Sequence, residues 1–176
     1  MVSTPEDFER AREDLRQERV VGVDTETPPS FRVGESHLPA LVQIASSRAV
    51  YLFRLKSQEP LFCNTLLTEL FENPAIVKAG IGLAHDFKSL KVCFPFQEKN
   101  VADLAAIAKR QGFSQTGVRN LAGILLGFRI SKGQKITNWG RPELTQPQIL
   151  YAATDAWACR ELYSCFQEKG FTASPE

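Results

Sequence analysis

Val20-Val21-Gly22-Val23 is a short apolar run, β-branched at three positions, that leads into Asp24-Thr25-Glu26. Runs of this kind form strands buried on both faces of a sheet. Downstream, Leu41–Ala45 and Ala49–Phe53 flank Ser46-Ser47-Arg48, a hairpin signal, so three strands in succession predict an antiparallel meander. Upstream, Thr4-Pro5-Glu6-Asp7 supplies a hydroxyl cap, a first-turn proline and acids at the positive helix end, and Phe8, Ala11 and Leu15 share one helical face.

Beyond the meander the period changes. Leu61–Phe71 reads as a helix closed by Asn73-Pro74, Ala75–Ala79 as a buried strand and Leu83–Cys93 as a helix. Asn100–Ala102 predicts a last short strand, followed by a helix from Asp103 through Arg110 and another from Gly117 to Leu126 capped by Gly127. Thr145-Gln146-Pro147-Gln148 has capping-box spacing and opens a final helix reaching about Phe166. A meander followed by β/α alternation predicts an α/β fold, with a mixed central sheet and helices on both faces.

The 176 residues suit one domain spanning 1–176, and 43% hydrophobic with 23% charged residues is ordinary for a globular protein. No run of 18 apolar residues exists, so no membrane partner is expected, and Met1–Asp7 lacks the parts of a secretory signal. Cys63, Cys93, Cys159 and Cys165 form no zinc-ligand spacing and read as reduced thiols of a cytoplasmic protein. Net charge is +1, yet Leu104–Pro142 holds no acid and seven bases, leaving a balance of −6 elsewhere. Such a segment either focuses a field on a polyanion or is a solvated surface.

Three separated pieces carry candidate chemistry. Asp24 and Glu26 alternate onto one face at the end of a buried strand, where paired carboxylates are costly unless a hard cation neutralises them. Their bland reading is a solvated strand end. Gly80-Ile81-Gly82 allows a tight exit from strand to helix and places Asp86 in the helix's first turn, where the helix dipole alone could account for it. Tyr151 and Asp155, at i and i+4 among alanines, face the same way on the last helix; alternatively they are a core tyrosine and an exposed acid. Asp103 is explained by helix-start chemistry, and His37 and His85 lack partners in the pattern.

Taken jointly, Val23–Thr27, Lys78–Gly82 continued to Asp86, and Leu144–Ala156 resemble the three exonuclease motifs of the DEDD superfamily. The likeness is to its tyrosine branch, similar to ribonuclease D and the Werner-type exonuclease domain, and extends from Val20 to Phe166. Tyr151 is the single tyrosine with an aspartate four residues on, and neither histidine precedes an aspartate by five, as the histidine branch requires. The resemblance implies a three-layer ribonuclease H-like fold and 3′→5′ exonuclease activity on the single-stranded end of RNA or DNA, releasing nucleoside 5′-monophosphates. It also implies two divalent cations, Mg²⁺ or Mn²⁺, held by Asp24, Glu26, Asp86 and Asp155. Two-metal sites place the ions about 3.5–4 Å apart, so that attacking and leaving oxygens are both stabilised. Asp24 would bridge both ions, Glu26 and Asp155 would hold the nucleophile side, Asp86 would serve the leaving-group side, and Tyr151 with Glu26 would orient the attacking water.

Lys132 and Lys135 are expected on substrate phosphates, and Thr25, Thr27 and Phe31 around the 3′-terminal nucleotide. Trp139 either stacks on a base or anchors the loop that carries it. Two other classes compete: a nucleic-acid-binding module without catalysis, and a phosphohydrolase of nucleotides or short oligonucleotides. RNA and DNA stay undistinguished, because the sugar 2′ position is read by local contacts.

Overall fold

The computed structural model describes residues 1–30, 32, 34, 36–56, 60–131 and 137–172. Five strands lie in the order β3-β2-β1-β4-β5. They are β1 (Val20–Glu26), β2 (Leu41–Ala45), β3 (Val50–Arg54), β4 (Val77–Gly80) and β5 (Val101–Asp103). The first three form the antiparallel meander, and β4 and β5 join β1 in parallel.

One face is covered by α1 (Pro5–Arg16), α2 (Pro60–Glu72) and α3 (Leu83–Cys93), around a core that includes Phe8, Val21, Val23, Phe53, Phe71 and Phe87. Phe71 stands 5.0 Å, centroid to centroid, from both Phe87 and Phe96, in tilted arrangements that suit the ring quadrupoles. The opposite face carries α4 (Leu104–Arg110), α5 (Val118–Leu121) and α6 (Gln146–Glu168). The predicted three layers are therefore present among the described residues.

Local chemistry accounts for the element ends. Thr4 with Asp7, and Thr145 with Gln148, form reciprocal capping boxes on α1 and α6. Asp103 accepts from the Ala105 and Ala106 amides as the α4 cap, the helix-start role expected of it. Two expectations need correction. The helix foreseen over Gly117–Leu126 is α-helical only for Val118–Leu121 and continues as a π-helical turn over Ala122–Leu126, closed by Gly127 at φ 74°. The strand foreseen from Ala75 begins at Val77. There the buried Lys78 ammonium turns back to the Asn73 and Ile76 carbonyls, 2.7 Å each, satisfying groups that a longer ladder would otherwise pair.

One packing feature positions the site. Gly22 lies beside Ala45 on one side and Ala79 on the other, so three small residues cross the sheet in register. Alpha-helix α6 rides in this trough: a Cβ built on Gly22 would come 2.0 Å from the Ala156 carbonyl oxygen and 2.7 Å from the Arg160 nitrogen. A glycine inside a strand signals this kind of close backbone approach.

Candidate active site

With Ala156 over Gly22, the preceding turns of α6 lie above the carboxyl end of β1. There Asp24, Glu26 and Asp155 each offer a ligand oxygen, all within 4.8 Å of one another. Asp155 is 6% exposed, and Asp24 and Glu26 are half-buried. The Tyr151 hydroxyl hydrogen-bonds to Asp155 one helical turn away, which is the shared face that the i, i+4 spacing predicts. A cavity of about 490 Å³ opens on this cluster, lined also by Thr25, Ile81 and Cys159.

Asp86 reaches the site from the other layer. Its carboxylate accepts a hydrogen bond of 3.0 Å from Thr25 Oγ1, whose side chain points to the α3 face of β1. It stands outside the group of three converging ligands, yet its charge is felt at Asp24. Thr25 thus links first and second motifs, a role the chain order does not announce. Thr27 is exposed, and Phe31, Lys132 and Lys135 lie outside the described residues.

The electrostatics are those of crowded carboxylates. Burial first, then the charges of Asp155 and Asp86, hold the Asp24 carboxyl well above the usual carboxylate range. Burial also raises Asp86, partly offset by the Thr25 hydrogen bond. Tyr151 is pushed above its ordinary value by burial, by the charge of Asp155 and then of Glu26, so the phenol stays protonated at neutral pH. No basic side chain is among those whose charge offsets Asp24. Across the strand pair from Asp24, the fully buried Gln43 amide has no hydrogen-bond partner among the described residues. An acid cluster of all-oxygen donors with unanswered polarity beside it fits a hard divalent cation.

Trp139 is 1% exposed, packed with Leu41, Leu52 and Ala152, its ring centroid 6.2 Å from that of Tyr151. Of its two expected roles, the structure places it as an anchor. Sequence reasoning missed Arg119 and Asn120, which also line the site cavity. The acid-free segment hinted at Arg119; nothing in the local pattern marked Asn120.

The chain matches the family model described as 3′-5′ exonuclease over residues 1–170. It is similar to the exonuclease mut-7 homolog of Homo sapiens, 29% identical over 93% of this chain and 22% of that protein. To the bifunctional 3′-5′ exonuclease/ATP-dependent helicase WRN of Mus musculus it is 33% identical, over 88% of this chain and 11% of that protein. The chain therefore spans less than a quarter of either relative's length. Among solved structures, the Aedes aegypti Nibbler EXO domain superposes with a TM-score of 0.84 at 22% identity, covering 96% of this chain and 86% of that one. Trypanosoma brucei RNase D in complex with RNA U12 gives 0.80 at 19% identity, covering 93% and 60%. The mixed sheet and its helical layers are accordingly of the ribonuclease H-like fold, and the chain belongs to the 3′-5′ exonuclease family.

Proposed function

We propose that this chain is a 3′→5′ exonuclease domain that hydrolyses RNA, DNA or both from a single-stranded 3′ end. The convergence of Asp24, Glu26 and Asp155 within 4.8 Å is the observation that carries the reading. These three would hold one divalent ion, Mg²⁺ or Mn²⁺, and Asp86, across Thr25, would help to hold a second. Such ions supply Lewis-acid stabilisation of the phosphoryl oxygens and lower the pKa of a bound water.

The chain's own residues orient and exclude. The Tyr151 phenol, kept protonated by burial and by the neighbouring acids, acts as a hydrogen-bonding positioner for the attacking water and not as its base. Asp155 fixes that phenol by accepting its hydrogen bond, and Glu26, whose charge is felt at Tyr151, would help to orient the same water. Thr25 lines the cavity that would receive the terminal nucleotide, and the exposed Thr27 follows directly after β1. The four free cysteines fit a reducing compartment such as the cytoplasm.

The decisive experiment digests 5′-labelled RNA and DNA oligomers with Mg²⁺, with Mn²⁺ or with chelator. The expected result is a descending ladder with metal, none with chelator, and nucleoside 5′-monophosphates as products. Binding without cleavage would support a non-catalytic module, and turnover of mononucleotides alone would support a phosphohydrolase; either overturns the proposal.

A further inference from the structure

Beside the site cavity lies a second one of about 370 Å³, lined by Gln115, Gly123, Ile124 and Arg129, and sharing Arg119 and Asn120 with the first. Arg119 spans both. Its Nε donates to the Ile130 carbonyl at 2.8 Å, which ties the segment after the π-helical turn to α5 and brings Arg129 to the same wall. The other guanidinium nitrogens of Arg119 make no hydrogen bond or ion pair among the described residues, and Arg129 is exposed and makes none either. Arg10, Arg12, Arg16, Arg48 and Arg160, by contrast, each pair with an acid. From Leu104 to Pro142 the chain offers none.

Gly123 adds a third feature. It lies on the π-helical turn, and a Cβ there would meet only the Phe128 carbonyl oxygen at 3.9 Å. Neither backbone strain nor internal crowding explains a glycine at this point, and its missing side chain leaves the cavity open. Glycine is used where a ligand approaches the backbone closely, and π-turns occur often at functional sites.

We infer that Arg119 and Arg129 form an anion subsite for the phosphodiester on the 5′ side of the scissile one, so that the cavity at Gly123 receives the penultimate part of the strand. This rests on the exonuclease reading. Unpaired guanidinium groups suit phosphate because they present several donors in a fixed plane. The subsite would make hydrolysis depend on substrate length, since a dinucleotide with a free 5′-hydroxyl carries no phosphate to fill it.

The test uses a 5′-fluorescein uridine 12-mer, its thymidine counterpart, and unlabelled uridine and thymidine dinucleotides with free 5′-hydroxyl groups. Binding of the 12-mers is followed by anisotropy with Ca²⁺, and kcat/KM with Mg²⁺. In R119Q and R129Q the slope of log affinity against log salt should flatten by about 0.7 for each arginine removed. The preference in kcat/KM for 12-mer over dinucleotide should fall at least tenfold in the double variant. G123L should raise KM for the 12-mer at least fivefold without lowering Tm. A wild type that neither cuts nor binds would sink the exonuclease reading itself. A wild type that cuts, beside variants that keep its salt slope and length preference, overturns this inference alone. Because Arg129 holds no internal bond, R129Q separates phosphate contact from a merely structural role of Arg119.

Discussion

At Asp24, burial and two neighbouring carboxylates act in the same direction. A carboxyl raised in the folded state gives stability that is complete below its unfolded value of 3.8 and is lost as pH rises through the folded value. The metal-free protein therefore carries a penalty at neutral pH that Asp24→Asn removes. The variant should melt higher than wild type at pH 8 in chelator, with the gap closing as pH falls toward 4; each kcal/mol corresponds to about 2–4 °C at this chain length. The same substitution should lower kcat at least a thousandfold, a dissociation of stability from activity that marks a site under strain from its own charge. Tyr151→Phe keeps the ring against Trp139 and loses only the hydroxyl. It should lower kcat by about 10–100-fold and change KM little, the pattern of a group that acts mainly in the transition state. An unaltered kcat would remove Tyr151 from the mechanism.

The register of α6 over β1 is set by absence of bulk at Gly22. Gly22→Ala places a methyl against the Ala156 backbone, which cannot rotate away as a side chain could. The expected cost is about 1–3 kcal/mol or more by urea denaturation, with activity falling beyond what the unfolded fraction explains, because Asp155 moves with the helix. Full activity in a folded Gly22→Ala protein would show that this close approach is not what positions Asp155. The Trp139 anchor is a second lever on the same helix. Trp139→Ala should cost about 3–5 kcal/mol, whereas Trp139→Phe should cost much less, since the indole nitrogen has no partner among the described residues to lose.

For the molecule as a whole, metal and fold should be linked. A ligand that binds only the native state at a hundred times its Kd adds about 2.7 kcal/mol. Mg²⁺ or Mn²⁺ in that excess should raise Tm by about 5–10 °C, and Asp24→Asn should lose most of the rise. No helix among the described residues is long and apolar enough to cross a membrane. Arg119 and the acids line the same cavity; under the proposed reading the acids would hold cations and the arginine a strand phosphate, as a polyanion and its metal require.

Much of this was legible in the chain. The β-branched run of β1, the caps at Thr4 and Thr145, and the i, i+4 spacing of Tyr151 and Asp155 act over a few residues, and local physics writes them into local text. The π-helical turn was not legible, because its composition is that of an α-helix and its register is set by what lies on either side. Nor was the Thr25–Asp86 bond, which joins residues 61 apart across the two faces of the sheet. Nor was the second cavity, whose arginines become neighbours through the Ile130 carbonyl.

The sequence alone determined most of the helices and strands and which side chains are ionisable, since backbone propensity, capping and periodicity depend on near neighbours. Only the tertiary structure decided which charges meet, because distances between carboxylates on different elements follow from how closely helices and strands can approach. Here that approach turns on one missing side chain at Gly22.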